Sequence, residues 1–262
     1  VELMEVLVVD GMSNDKTAEI IKGYSEKFSF IQYLENPEKV VPYALNKAIR
    51  QSKGEIIIRM DAHAIYPNDY VASLVEGLSV YNCDNAGGVW ITKPANSSLK
   101  AKAIALGTSH IFGIGNAYYR LNITKPRQVD TVPFGCYKRD VFEKIGYFDE
   151  DLIRNQDDEF NARLIKNGGI IFLLPDIQII YFARDRLSKI SKMFYQYGLY
   201  KPLVNLKVGK PATMRQFAPL ILILFLAVSL GLGFISKVSL SVFAIACVLA
   251  SKSSTSLAAS TL

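Results

Sequence analysis

The sequence predicts an α/β domain with a largely parallel sheet, followed by an apolar C-terminal region. Three observations predict it. Short apolar runs alternate with helical patterns over the first two hundred residues. Two of those runs end in aspartate, Asp10 and Asp61. The uncharged stretch FAPLILILFLAVSLGLGFI at 217–235 is long enough to cross a bilayer as a helix.

The elements follow in order. MEVLVVD (4–10) is a short apolar run of the kind found in buried parallel strands. GMSNDKT turns the chain, and Thr17 to Phe28 reads as a helix with Ile20, Ile21 and Tyr24 on one side. IQYLEN (31–36) is a strand, and PYALNKAIRQSKG (42–54) a helix with Gly54 as its cap. EIIIRMD (55–61) is a third strand, NDYVASLVEGLSVY (68–81) a helix and AGGVWIT (86–92) a strand. FGIGNAYYRL (112–121) reads as a loop. It holds G-x-G, but Tyr118 stands where a third glycine belongs and no clear strand precedes it, so a dinucleotide fingerprint is not supported. RDVFEKIGYF is a short helix ended by Gly146, FDEDLIRNQ a loop, and DDEFNARLIKNG a helix closed by Gly168. Leu187, Ile190, Phe194 and Tyr197 then recur at helical spacing beside Lys189 and Lys192. Such a basic amphipathic helix either lies on a membrane surface or packs against the domain. A shorter apolar run, LSVFAIACVLA (240–250), precedes a small, polar tail.

A chain of 262 residues holds one substantial domain and an appendage. Its net charge of +6 is local: from Arg184 to Arg215 there are eight Lys and Arg against Asp185 alone, and the remainder carries 22 basic and 23 acidic residues. A basic strip before an apolar span marks the cytoplasmic side of a membrane and suits anionic headgroups or pyrophosphate. The near-neutral body argues against nucleic acid. Cys83, Cys136 and Cys247 form no zinc pattern and no disulfide framework, which implies a reducing compartment. No signal peptide appears, and the strand-like opening VELMEVLVVD implies sequence upstream. The expected division is a catalytic domain at 1–183, a basic membrane-interface segment at 184–215 and a transmembrane region at 216–262.

Ligands of open α/β sheets bind beyond the carboxyl ends of strands, where Asp10 and Asp61 stand. Such acids suit a ribose and a metal-bound diphosphate. Asp10 can accept hydrogen bonds from a base or ribose; Asp15 is either part of that site or an N-cap. If the strand stays extended to His63, Asp61 and His63 share a face and can share Mg²⁺ or Mn²⁺; a turn aspartate and a surface histidine are the alternative. Arg120 either reaches a diphosphate or is solvated. In RNQDDEFNARL (154–164), Asp157, Asp158 and Glu159 occupy the first turn of a helix, where the dipole favours acids. Neighbours on a helix point about 100° apart, so at most one or two of them face a pocket. One is a candidate catalytic base; the others are candidates for helix-start acids.

VVDGMSNDKT, DAHAIYP, FGIGNAYYR, VDTVPFG, RNQDDEFNARL and YGLYK, taken in this order, resemble glycosyltransferase family 2. These are inverting nucleotide-sugar transferases of GT-A fold, with a Rossmann-like mixed sheet. The nearest likeness is the bacterial exopolysaccharide branch typified by succinoglycan-biosynthesis glucosyltransferases, and it runs to about residue 201. The resemblance implies that Asp10 lies at the base and ribose, with Asp15 and Arg120 also toward the nucleotide-sugar. Asp61 and His63 take the family's metal-binding D-x-D position, with His63 replacing the second Asp. Asp157 matches its general base, and Gln156 replaces the Glu of the E-D motif, while Gln156, Asp158 and Glu159 position the acceptor or a loop. Tyr197 and Lys201 of YGLYK approach the diphosphate. The family begins with a strand, loop and helix that would precede VELMEVLVVD.

The function so implied is transfer of a hexose such as glucose from a UDP-sugar to a lipid-linked or polysaccharide acceptor, with Mg²⁺ or Mn²⁺. It takes place at a bacterial inner membrane, with the domain in the cytoplasm. Q-x-x-R-W, the signature of processive synthases, is absent, which favours single addition. The rival readings are a non-catalytic nucleotide-sugar-binding relative, or partner subunit of a synthase, and an NAD or nucleotidyltransferase enzyme on a similar sheet. Retention of Asp61 and Asp157 weighs against the first, and the missing glycine-rich phosphate loop against the second.

Overall fold

The structure is a computed structural model that describes residues 4–211 and 214–233. Its first half runs β1 (Val6–Asp10), α1 (Thr17–Lys27), β2 (Ile31–Glu35), α2 (Val41–Gln51), β3 (Ile56–Ile58), β4 (Ala64–Ile65), α3 (Tyr70–Val80) and β5 (Asn85–Lys93). There follow α4 (Leu99–Gly107), α5 (Ile111–Ile114), a 3₁₀ turn at Tyr118–Arg120, β6 (Arg127–Gln128), β7 (Cys136–Lys138), α6 (Arg139–Ile145) and α7 (Gln156–Lys166). The chain then forms the long strand β8 (Ile171–Phe182), α8 (Leu187–Val208) and α9 (Ala218–Gly233).

Helix ends follow local chemistry. Pro42 occupies the first turn of α2, where its missing N–H costs nothing. Ser98 caps α4 by accepting from the Ala101 N–H. Gly146, at φ +82°, closes α6 in a conformation that L side chains avoid. The expected cap at Gly54 is not used: α2 stops at Gln51, with Ser52 extended behind it.

The strands form two sheets. β1 and β2 pair in parallel, from Val6 opposite Ile31 to Asp10 opposite Glu35. The others run in the order β3-β7-β5-β8-β4, with β6 also on β8. Within that sheet only β5 and β8 are parallel; β3–β7, β5–β7, β4–β8 and β6–β8 are antiparallel. The expected largely parallel sheet is therefore corrected to a mixed one. An unbroken apolar run reports burial on both faces, and strand direction is set by connections that such a run does not encode.

Successive residues of β7 and β8 point to opposite faces, and two cores result. Tyr137 and Leu173 join Val141, Phe142, Phe160 and Leu164 from α6 and α7. Cys136 and Leu174 join Tyr70, Leu74 and Leu78 from α3. Cys83 and Cys136 are buried free thiols of this second core.

The register of β5 and β8 jumps from Gly88 opposite Leu174 to Val89 opposite Gln178, leaving Pro175, Asp176 and Ile177 as a bulge. Proline belongs at such a break, because it has no N–H for the ladder. Gly88 faces the bulge so closely that a Cβ there would stand 2.3 Å from the Ile177 carbonyl oxygen. Gly88→Val is accordingly expected to destabilise the fold by about 1–3 kcal/mol, as overpacking against backbone does, read as a lowered midpoint in thermal unfolding.

The third strand is shorter than EIIIRMD suggests. β3 ends at Ile58, and the Tyr66 hydroxyl receives the Asp61 N–H (2.7 Å) and donates to the Asp61 carbonyl (3.1 Å). That pair of bonds turns the chain at Asp61. FGIG is not a loop but the short helix α5, packed so that a Cβ at Gly113 would meet the Gly107 carbonyl.

α8 is one 22-residue helix ended by Gly209 at φ +79°. Val204 and Val208 pack on Leu152, and Ile190 packs on Ile104, Ala105 and Ala183. Leu187, Phe194, Tyr195, Leu199 and Leu206 stay exposed. α9 has 16 described residues, about 24 Å of helix against a hydrocarbon core of about 30 Å. Among the described residues no helix is long and apolar enough to cross a membrane. The end of the 217–235 stretch, the run at 240–250, Cys247 and the tail lie outside the described residues.

Candidate active site

Arg59 follows the last residue of β3 directly, and its N–H still bonds the Gly135 carbonyl before β7. Its guanidinium holds both Asp61 oxygens, with Nε to Oδ1 at 2.9 Å and Nη2 to Oδ2 at 3.2 Å. The remaining nitrogen, Nη1, donates to Asp157 Oδ1 at 2.5 Å. Only 10% of the Arg59 side chain is exposed. Burial opposes its charge, but Asp157 and Asp61 outweigh that and hold the guanidinium above the ordinary arginine range. The Asp157 carboxyl is pushed up from its ordinary value, chiefly by loss of solvation; Arg59 opposes the rise, while Asp61 and Asp158 add to it.

Three adjacent acids start α7, and each goes to a different cation. Asp157 takes Arg59, Asp158 takes Lys201 of α8 at 2.6 Å, and Glu159 takes Arg163 one turn on at 2.7 Å. The rotation of about 100° per residue separates them. Arg163 also donates to the carbonyls of Ile145 and Tyr147, so Glu159 holds the loop after α6. Asn155, the left-handed residue before α7, donates to Asp158 at 3.3 Å, and Gln156 is buried.

His63 sits on an exposed turn, its ring 6.1 Å from Tyr181 and 6.5 Å from Phe134, both edge-on. The expectation that an extended strand carries Asp61 and His63 to one face is corrected, because the chain has already turned at Asp61. Among the described residues no three His, Cys, Asp or Glu form a metal-holding group. Asp61 and His63 offer one carboxylate and one imidazole, the donor types that suit Mg²⁺ or Mn²⁺ once diphosphate oxygens join them. In the structure the cation on Asp61 is the Arg59 guanidinium.

Arg120 lies beside that turn. Its guanidinium carbon is 4.4 Å from the Trp90 ring centre, 5.3 Å from that of Tyr181 and 5.4 Å from that of Tyr119. Trp90 stacks on Tyr181 at 4.1 Å, and the same Tyr181 borders His63. Burial works against the Arg120 charge, yet the phenols of Tyr119, Tyr181 and Tyr197 hold it above the ordinary arginine value. Its hydrogen bond is a long one, Nε to the Tyr119 hydroxyl at 3.4 Å, and among the described residues it has no carboxylate partner. Trp90 Nε1 and Thr92 Oγ1 nearby on β5 are buried without partners.

Asp10 is buried at the end of β1, accepting from the Ser13 N–H (3.0 Å) and the Ser13 hydroxyl (2.5 Å). Asp15 is exposed and accepts the Thr17 N–H at 2.9 Å, the local bonding of a helix start. The structure thus brings Asp61, Asp157, Asp158, Arg120 and His63 into linked clusters, and sets Asp10 on the separate two-stranded sheet.

Arg59, Trp90, Tyr119 and Tyr181 are the site residues that the sequence pattern did not single out. A signal existed for the first: Arg59 stands only two residues before Asp61, an opposite charge close enough along the chain to pair with it. The aromatic residues gave none, since they come from β5, β8 and a 3₁₀ turn far apart in sequence.

The glycosyl transferase family 2 profile matches residues 1–146. The chain is 27% identical over 246 residues to the succinoglycan biosynthesis protein ExoA of Rhizobium meliloti (strain 1021), covering 92% of this chain and 74% of that one. It is 28% identical over 211 residues to a dolichyl N-acetyl-alpha-D-glucosaminyl phosphate 3-beta-D-2,3-diacetamido-2,3-dideoxy-beta-D-glucuronosyltransferase of Methanococcus voltae, covering 78% of this chain and 64% of the other. In fold it is similar to S. aureus TarS 1-349 solved with UDP-GlcNAc: TM-score 0.55, 16% identity, 79% of this chain and 58% of that one. The chain therefore spans roughly three fifths to three quarters of these proteins.

Proposed function

Because the chain belongs to glycosyltransferase family 2 and is a glycosyltransferase of GT-A fold, we propose that it moves a hexose such as glucose from a UDP-sugar to a hydroxyl of a lipid-linked or polysaccharide acceptor. The observation that carries the assignment of roles is the shared guanidinium: Arg59 joins Asp157, the base, to Asp61, which faces the donor diphosphate. Asp157 removes the proton of the acceptor hydroxyl. That oxygen bonds the anomeric carbon from the face opposite the diphosphate, the carbon–diphosphate bond breaks, and the configuration inverts. Arg59 takes Oδ1 of Asp157, and 38% of that side chain is exposed, which leaves the other oxygen for an acceptor hydroxyl in this reading. General base catalysis of this kind contributes roughly 10²–10⁴-fold.

Asp61 and His63 would hold Mg²⁺ or Mn²⁺, which neutralises charge on the departing diphosphate. Arg120 contributes a fixed positive charge on the same side, free of any described carboxylate and bordered by Tyr181. Asp10 contacts the base or ribose, and Asp15 orders the loop behind it through Thr17. Gln156, Asp158 and Glu159 position the acceptor and the loop after α6, Asp158 through Lys201. Tyr197, on α8, is near enough to add to the field that holds the Arg120 charge.

The domain at 1–183 sits at the cytoplasmic face of a bacterial inner membrane. The exposed Leu187, Phe194, Tyr195 and Leu199 of the 184–215 segment, set among its lysines, lie in the interface. The described part of the 216–262 region, α9, enters the bilayer: it presents Leu220 to Phe225 exposed, as a lipid-facing helix would. Among the described residues β1 pairs only with β2 and β3 only with β7, while Glu5 bonds the Lys53 and Gly54 N–H groups between them.

The test is nucleoside diphosphate release by membranes carrying the full protein, from a panel of sugar nucleotides, with Mn²⁺ or with chelator. Release that favours one UDP-hexose and falls with chelator is expected. Donor binding without release, across acceptor-containing membranes, would favour a non-catalytic nucleotide-sugar-binding relative instead.

A further inference from the structure

We propose that Arg59 is an internal counter-ion that ties Asp61 to Asp157 and must give up Asp61 before a divalent cation takes that carboxylate. The proposal rests on the reading of Asp61 as a cation ligand and of Asp157 as the base.

The geometry carries it. Both Asp61 oxygens already receive Arg59 nitrogens, so an ion at either remaining lone pair stands beside the guanidinium's positive charge and is repelled until Arg59 moves off. The third contact, to Asp157, leaves Arg59 a second place to stay when Asp61 is released. Neighbouring cations do not relieve it. Lys201 is committed to Asp158, Arg163 to Glu159 and two carbonyls, and Arg120 to its aromatic ring cluster. Bidentate guanidinium–carboxylate contacts are the strong ones, and near-burial of Arg59 keeps water from competing.

Two effects of opposite sign follow. Without Arg59, Asp61 is free for the ion and binds it more tightly. Asp157 meanwhile loses its only strong tether among the described residues, so turnover falls. A purely structural arginine would give no gain in metal affinity. The contact therefore couples arrival of the donor and its cation to the base: Arg59 leaves Asp61 and rests on Asp157 alone.

Binding of Mn²⁺ by the full chain, without nucleotide, is read from the electron paramagnetic resonance of the free ion. Arg59→Met is expected to bind Mn²⁺ roughly tenfold or more tightly than the unmodified protein, the scale of one charge-assisted contact. Arg59→Lys keeps the charge for folding but cannot span both acids, and it is expected to gain affinity by a smaller factor. Both are expected to lower the rate of sugar transfer at saturating donor. Unchanged or weaker Mn²⁺ binding in both variants overturns the counter-ion role. Asp61→Asn separates this from the underlying reading. If it abolishes Mn²⁺ binding while the Arg59 variants do nothing, only the counter-ion role falls. If it leaves binding intact, Asp61 is not the ligand and both fall.

Discussion

Asp157→Asn is expected to lower sugar transfer by roughly 10²–10⁴-fold, the contribution of a positioned general base, while donor binding and the far-ultraviolet circular dichroism stay close to those of the unmodified protein. The substitution keeps the shape and one acceptor oxygen for Arg59, so the site is not emptied. What it removes is the capacity to take a proton. The measurement is nucleoside diphosphate release at saturating donor and acceptor, beside an independent measure of UDP binding. Transfer within a few-fold of the unmodified enzyme would show that the base lies elsewhere.

The same residue sets a pH dependence. Its carboxyl is raised above the ordinary 3.8, so protonation begins at a higher pH than for a solvated aspartate. Only the ionised form acts as base, and kcat/KM should fall as pH is lowered through that raised value. An acid limb at or below 3.8 would contradict the crowding seen around Asp157. The sign for stability is the reverse. The folded state holds this proton more tightly than the unfolded chain, so this carboxyl's contribution to stability decreases as pH rises from 3.8 through the folded value.

Arg120→Met carries the second large effect. A charge-assisted bond to the donor is worth about 1.5–3 kcal/mol, so kcat/KM for the UDP-sugar is expected to fall about ten- to hundredfold. Stability should not follow. Arg120 is packed among Trp90, Tyr119 and Tyr181 and pairs with no described carboxylate, so its removal strands no buried counter-charge. Methionine fills similar space and replaces the cation–π contacts with a favourable sulfur–aromatic one. A thermal midpoint close to that of the unmodified protein, with weakened donor use, is the expected pair. Activity unchanged in the variant would remove Arg120 from the donor site; a lowered midpoint would make it a structural residue.

Much of the fold could be read along the chain where the signal is local. The periodicity of VASLVEGLSV, the glycines closing α6 and α7, and the apolar runs of β1 and β5 each act within a few residues. EIIIRMD misled because apolar content continues to Met60 while the chain turns at Asp61, held by a Tyr66 hydroxyl that no periodicity reveals. β8, a long strand in the middle of the sheet, passed unmarked: Pro175 and Asp176 break its pattern, and both sit in a bulge that only its neighbour β5 explains.

By itself, the sequence determined that strands and helices alternate, that acids stand at strand ends and a helix start, and that a basic strip precedes an apolar run. Each of these is a property of neighbouring residues, governed by side-chain alternation, helix dipoles and hydropathy. Only the tertiary structure decided which cation each of Asp157, Asp158 and Glu159 receives, that Arg59 serves two acids that stand 2 and 98 positions from it along the chain, and that Arg120 stands in an aromatic cluster without a carboxylate. Charge pairing and desolvation depend on separation in space and on exclusion of water, and both arise when β3, β5, β8 and α7 close on one another.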